Sequence, residues 1–240
     1  MSIRVAVVGA TGRMGKLALE LIDAAQNLSL HAALDSKSEL SQTIGADVIF
    51  DVTRFEVSQQ VVEHAIANNQ KVLVGTSGWT AQHLQQLEAK FHGTTAAVVV
   101  VPNFSIGSML GSKFAAEAAK FYDSIEIIEA HHAGKIDSPS GTAVRTAEMI
   151  AAARDGKSIL LPGVGQEARG QVVAGVPIHS LRLDGVSAKQ EVLLGGDSEV
   201  LKIAHEVTSI RSYVTGILHS ISFTAEAKGL TVGLQAVLGL

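Results

Sequence analysis

The sequence predicts an α/β architecture: a Rossmann-like, doubly wound parallel sheet, then an α+β unit with a mixed, largely antiparallel sheet. Three observations carry this expectation. Short, nearly unbroken apolar runs alternate with helical patterns through residue 103, as a parallel sheet covered on both faces requires. Glycine numbers 23 and aromatics make up only 4% of the 240 residues, so the core is built from Ala, Val, Leu and Ile around tight turns. From residue 104 onward the alternation gives way to strands that follow one another through short connectors.

The elements are expected in this order. Ile3–Val8 is a buried strand, and Gly12–Ala25 a helix with Leu17, Leu21 and Ala24 on one face. Ser29–Asp35 and Asp47–Thr53 are strands, and Val57–Asn69 is a helix with Val61, Ala65 and Ile66 on its apolar stripe. Lys71–Thr76 is a fourth strand, Thr80–His92 a polar-faced helix, and Ala96–Asn103 a fifth strand of almost continuous Val. Ser105–Phe121 follows as a helix, Ile125–His132 as a strand and Thr142–Arg154 as an Ala-rich helix. Asp155–Gly175, with five glycines and no period, is read as a long loop, of the kind that is functional, mobile or used in assembly. Val176–Asp184, Ala188–Leu194 and Val200–Thr208 are read as antiparallel strands, the last two joined through Gly195-Gly196-Asp197. Tyr213–Ala227 is a final helix and Leu230–Leu234 a short strand. Periodicity leaves open which unit that last helix joins.

Composition excludes several classes. Hydrophobic residues at 47% and charged residues at 18% exclude intrinsic disorder. A net charge of −4 argues against a nucleic-acid partner, which needs a basic face. The chain has no cysteine, so disulfides, Cys-ligated metals and a thiolate nucleophile are out. No apolar run reaches about 18 residues, so no membrane span is expected. The baseline expectation is a cytoplasmic protein.

The strand Ile3–Val8 runs into Gly9-Ala10-Thr11-Gly12-Arg13-Met14-Gly15, a variant of the dinucleotide-binding glycine turn. Gly9 allows the strand-to-helix turn, Gly12 lets a pyrophosphate approach the backbone, and Gly15 lets the helix pack closely. The N–H groups at the helix start then hold the anion. Asp35 lies twenty residues after Gly15, where an acid accepts from the adenosine ribose. Asp35 favours NADH, while Lys37 and Arg13 leave NADPH open. Gly75-Thr76-Ser77 and Val101-Pro102-Asn103-Phe104 end the fourth and fifth strands, the edge at which open α/β sheets bind ligands. They complete the expected cofactor site.

The densest chemistry is Glu129-Ala130-His131-His132-Ala133-Gly134-Lys135-Ile136-Asp137-Ser138-Pro139-Ser140-Gly141-Thr142. Ser140, Gly141 and Thr142 open a helix whose N–H groups suit a carboxylate. His131 is read as a general acid and Lys135 as a further proton donor and anion contact. Successive strand residues face opposite ways, so His132 is a substrate or structural contact. Adjacent histidines do not make a usual zinc spacing, and no metal is expected. Arg211 is either a second cation for a doubly charged substrate or an ordinary surface arginine.

Together these segments resemble the dihydrodipicolinate reductases. Gly9–Gly15, Gly75–Gly78, Pro102–Ser105, Glu129–Thr142, Ile178–Arg182 and Gln190–Val192 carry the resemblance. Small departures are Ser77, Ser138 and Lys189, none of them among the proposed chemical groups. The resemblance implies a reductase of lysine and diaminopimelate biosynthesis that passes a hydride from NADH or NADPH to a dihydrodipicolinate-type ring. It implies His131 as catalytic acid/base, Lys135 as proton donor, and His132 with Gly141 and Thr142 as substrate binders. It also implies a homotetramer built through the second unit's sheet, and a last helix that rejoins the first unit. Expected boundaries are 1–103 with 212–240 for the dinucleotide-binding domain, and 104–211 for the substrate domain. Two other readings compete: a different small nicotinamide dehydrogenase, and a catalytically silent NAD(H) sensor.

Overall fold

The computed structural model describes residues 2–91, 93–163 and 165–240. The chain divides into two compact units, one comprising residues up to Ser105 with Tyr213–Leu240, the other Ile106–Ser212.

In the first unit, β1 (Ile3–Val8), β2 (Leu28–Leu34), β3 (Val48–Asp51), β4 (Lys71–Val74), β5 (Ala97–Val100) and β11 (Gly229–Val232) form a six-stranded sheet. Its order is β11-β5-β4-β3-β1-β2, and every pairing is parallel. The connecting helices are α1 (Arg13–Ala24), α2 (Phe55–Ala67) and α3 (Ala81–Glu88). β3 and β5 are buried at every position, which explains why they read as unbroken apolar runs. Val61, Val62, Ala65 and Ile66 of α2 pack with Ile49, Val72 and Val98 in one cluster, each large side chain worth about 1.5–3 kcal/mol on burial.

Two helix readings change in detail. The buried face of α1 is Gly15, Leu17, Ala18, Leu21 and Ile22, whereas Ala24 is exposed in the last turn. α3 stops at Glu88 and tightens into a 3₁₀ turn over Ala89–Phe91; His92, its expected end, lies outside the described residues. Thr80 caps α3, with its side chain accepting from the His83 N–H while the His83 ring accepts from the Thr80 N–H.

The second unit holds α4 (Ile106–Ala118), β6 (Ser124–His131), α5 (Gly141–Ala153), β7 (Gln171–Val173), β8 (Val176–Arg182), β9 (Ala188–Gly196) and β10 (Glu199–Val207). The sheet order is β10-β9-β6-β8-β7. Ile125, Ile127, Ile178, Val192 and Leu194 on the sheet pack with Ala143, Ala147 and Ile150 of α5.

Three expectations fail here. The segment 155–175 is not wholly irregular, since a 3₁₀ turn (Glu167–Arg169) and β7 lie within it. β8 does not join β9 and β10 in one antiparallel run: β6 lies between β8 and β9, and β8 pairs with β6 in parallel, because strand neighbours are not encoded in a period of two. The β9–β10 reversal occurs at Asp197-Ser198, and Gly195 and Gly196 pair within the ladder. At Gly196 a Cβ would stand 3.1 Å from the Tyr122 ring, a tight contact that the ring would have to yield to.

The buried Arg154 pins the chain after α5, donating to the carbonyls of Ala119, Tyr122, Lys157 and Ser158 and to Asp123. After the second unit, α6 (Val214–Glu226) packs against β3, β4 and β5. A short α7 (Leu234–Leu238), unread in the sequence, closes the chain.

Candidate active site

The turn after β1 adopts the geometry its glycines suggest. Gly9 has φ +91°, a conformation glycine tolerates best. A Cβ at Gly15 would stand 2.2 Å from the Gly9 carbonyl oxygen, so α1 can approach the turn only without one. At Gly12 the nearest atom to such a Cβ is 3.4 Å away, and the residue is exposed. Gly12 is the N-cap of α1 and no side chain caps the helix. Its first N–H groups thus remain for an anionic ligand. The turn fits a dinucleotide pyrophosphate, with Thr11 and Arg13 exposed at its rim, Met14 half-buried and Ala10 buried beneath.

Asp35 follows β2 and is exposed. Its carboxylate accepts from the Lys37 N–H at 2.9 Å and the Ser38 hydroxyl at 2.8 Å. These two bonds, with the Lys37 charge, hold it below the usual carboxylate range, so it is an anion at neutral pH. That suits acceptance from a ribose hydroxyl and opposes a 2′-phosphate.

The two loops at the ends of β4 and β5 are braced from inside. The Thr76 side chain is buried and donates to Asp51 at 3.0 Å. Asp51 also accepts from Thr53 at 2.6 Å and Ser58 at 2.5 Å. Phe104 is buried with its ring edge-on to Phe50, and Val101 is fully buried. Within these loops Ser77 and Pro102 are exposed, Gly75 and Asn103 half-buried, and the Asn103 side chain accepts from the Ser105 N–H. The side chains of Thr76, Val101 and Phe104 therefore belong to the core, which leaves only their backbone for any ligand.

In the second unit, β6 ends at His131. Strand alternation puts Glu129 and His131 on one face, and the Glu129 carboxylate lies 2.6 Å from His131 Nδ1. Glu129 is fully buried. Arg182 of β8 reaches it with two nitrogens, at 2.9 and 3.0 Å, and the Ser140 N–H donates at 3.2 Å. Burial works to raise the Glu129 pKa, but the hydrogen bonds from Arg182, Ser180 and His131 outweigh it and the carboxyl stays ionised. Burial lowers the His131 pKa; Glu129 opposes this, while Lys135 and Arg182 add to it. The imidazole is neutral at pH 7.

Lys135 donates to both oxygens of Asp137, at 2.7 and 2.8 Å, and its N–H closes a turn on the His132 carbonyl. His132 is exposed. Ser140 caps α5, its hydroxyl accepting from the Ala143 N–H, which is worth about 1 kcal/mol. Gly141 is exposed at the first turn, with nothing within 4 Å of where a Cβ would stand. Arg211 is exposed on a 3₁₀ turn (Ile210–Tyr213) that follows β10. Among the described residues no cluster of His, Asp and Glu could hold a metal ion.

Sequence reasoning missed Glu129, Arg182, Asp137 and Asp51 as parts of these sites. Glu129 was legible in principle, because it sits two positions before His131 on one strand. Arg182 was not, since only the β6–β8 pairing sets it opposite His131.

A glycine turn at the carboxyl edge of the first unit's parallel sheet, and in the second unit a histidine held by a buried carboxylate and linked through Arg182 and Asp137 to a lysine, are features of a nicotinamide-dependent oxidoreductase. Comparison with known proteins narrows the class. Residues 3–104 match the family model "Dihydrodipicolinate reductase, N-terminus" and residues 107–238 match "Dihydrodipicolinate reductase, C-terminus". A 4-hydroxy-tetrahydrodipicolinate reductase of Clavibacter michiganensis is 52% identical over 242 residues, covering 100% of this chain and 87% of that protein. One from Streptomyces griseus is 41% identical over 251 residues, covering 99% and 98%. The solved structure of a dipicolinate-bound dihydrodipicolinate reductase from a Paenisporosarcina species superposes with a TM-score of 0.82 at 35% identity, covering 98% of this chain and 99% of that one. The chain belongs to the dihydrodipicolinate reductase family.

Proposed function

We propose that the chain reduces the dihydrodipicolinate-type ring derived from 4-hydroxy-tetrahydrodipicolinate to tetrahydrodipicolinate, using NADH or NADPH, in lysine and diaminopimelate biosynthesis. One observation carries the site assignment. His131, Lys135 and the start of α5 stand within a single hydrogen-bonded assembly whose members are linked through Glu129, Arg182 and Asp137.

The residues of Gly9–Met14 with Asp35, and the loops Gly75–Ser77 and Val101–Phe104, would hold the cofactor. Bound there, the dihydronicotinamide supplies a hydride. The substrate is a small dicarboxylate. One carboxylate accepts from the N–H groups of Gly141 and Thr142, with Ser140 setting the helix start beneath; His132 and Lys135 add contacts, and Arg211 serves the other carboxylate. Reduction leaves an electron pair on the ring that a proton must meet. The Lys135 ammonium has a proton to give. His131 carries its hydrogen on Nδ1 toward Glu129, so Nε2 holds a lone pair and becomes an acid only after taking up a proton. A dianion beside it favours that uptake.

The chain is further proposed to be a cytoplasmic homotetramer assembled through the second unit's sheet. Support comes from the edge strand β10, which exposes Val200 and Leu201; light scattering on purified protein checks it. No helix among the described residues is long and apolar enough to cross a membrane.

Steady-state kinetics test the roles. His131→Gln and Lys135→Ala are each expected to lower turnover about 10²-fold or more with NADH affinity nearly unchanged. Normal turnover in either variant overturns its assignment. Assays with the dihydrodipicolinate precursor against a panel of oxo acids separate this reaction from that of another dehydrogenase. Tight NADH binding without turnover on any of them would instead indicate a sensor.

A further inference from the structure

We propose that Glu129, clamped by Arg182, is a positioning residue that fixes the tautomer of His131 and at the same time sets the start of α5. The inference rests on the reading of His131 as the proton-transfer residue.

The donors around Glu129 decide its state. Its buried carboxylate faces His131 Nδ1, two Arg182 nitrogens, the Ser140 N–H and the Ser180 hydroxyl. Arg182 and the Ser140 N–H can only donate and the carboxyl is held ionised, so it accepts throughout and the His131 hydrogen resides on Nδ1. The atom left for chemistry is Nε2. The same carboxylate reaches the backbone of the residue that caps α5, so the imidazole and the carboxylate-binding helix start share one anchor.

Arg182 completes the device. Besides Glu129 it donates to the Asp137 carbonyl and the Leu181 carbonyl, each at 2.6 Å. The loop bearing Lys135 is thus tied to the same pair. Arg182 also offsets the Glu129 charge, so the imidazole does not simply acquire a proton from having a carboxylate 2.6 Å away. The charged groups facing His131 are Glu129 on its own strand, Arg182 from β8, and Lys135 from the loop, itself paired with Asp137.

A buried ion pair is weak support for stability, because well-packed apolar side chains of similar volume often do as well. What apolar side chains cannot do is orient a ring nitrogen. Glu129 in this place is therefore accounted for by the imidazole it holds.

The experiment follows the His131 ring nitrogens by NMR in full-length protein labelled with ¹⁵N-histidine, between pH 5 and 9, with kcat measured alongside. Wild-type protein is expected to show the Nδ1–H tautomer. In Glu129→Gln the amide can donate to the ring, the Nε2–H tautomer becomes the major form, the His131 titration moves down by about one unit, and kcat falls about 10²-fold at unchanged KM for NADH. Arg182→Met is expected to move the His131 titration up. These opposite shifts are the signature of positioning, which general loosening of the site does not produce.

An Nε2–H tautomer in the wild type, or shifts of one sign in both variants, would overturn the proposal. If Glu129→Gln does not fold, the double variant Glu129→Gln/Arg182→Met leaves no lone buried charge and reads the same tautomer change. If the tautomer changes while turnover is intact, Glu129 still positions the ring, and it is the assignment of His131 as proton-transfer residue that fails.

Discussion

The carbonyl oxygen of Gly9 and the α-carbon of Gly15 are so close that any side chain on Gly15 would begin 2.2 Å from that oxygen. Gly141, at the first turn of α5, has no atom within 4 Å of the equivalent point. Both glycines open helices, yet they serve opposite purposes: one permits contact within the protein, the other leaves room outside it.

Alanine separates those purposes. Gly15→Ala is expected to destabilise the protein by about 1–3 kcal/mol and to raise the KM for NADH, because α1 must retreat from the turn. Gly141→Ala should leave the unfolding free energy within about 0.5 kcal/mol of wild type and raise the KM for substrate instead. Denaturation curves and paired KM measurements check both.

Asp51, fully buried at the end of β3, accepts from Thr53, Ser58 and Thr76. Asp51→Ala takes the acceptor from the buried Ser58 and Thr76 hydroxyls, each costing about 1–3 kcal/mol if unsatisfied. A clear drop in melting temperature is expected. A raised KM for NADH should accompany it, since the loop bearing Thr76 loses its brace.

The His131 and His205 pKa values are both lowered, in each case first by burial. Below the ordinary histidine value of about 6.5 the unfolded chain takes up protons that the native state refuses, so stability must fall as the pH drops from 7 toward 5. Glu126, Glu129, Asp137 and Glu191 are lowered acids. Their contribution is present above about pH 4.5 and is lost as the pH falls through their native values. Asp51, raised by burial, works the other way, but it is one group against two histidines and four acids, so urea denaturation between pH 4 and 8 should show a net decline toward acid, beginning near 6.5.

Asp35, anionic and exposed, is proposed to distinguish the two cofactors by charge. Asp35→Ser should raise the KM for NADH about tenfold, the equivalent of one charged hydrogen bond, while raising that for NADPH less or lowering it. Equal changes for both cofactors would remove Asp35 from the ribose site.

Much of the chemistry was local and therefore readable. The run from Glu129 to Thr142 holds a strand end, a turn and a helix cap within fourteen residues, and neighbours in sequence there are neighbours in space. β1 was read with its observed bounds, Ile3–Val8, because a buried strand ends where its apolar run meets Gly9. In the loops after β4 and β5 the sequence does not show side-chain orientation: Thr76 and Phe104 look alike in sequence whether they face a ligand or the core.

The sequence by itself determined the alternation of elements, the glycine turn, and the identity and spacing of the proton-bearing groups. Each depends on chain-local geometry: a period of two or 3.6, a turn that excludes Cβ, a cap one residue before a helix. Only the tertiary structure decided that β8 lies parallel to β6 and so delivers Arg182 to Glu129, 53 residues away. It alone also decided that Thr76 turns inward to Asp51. Strand direction and side-chain facing are settled by which surfaces pack together, and that choice belongs to the whole chain.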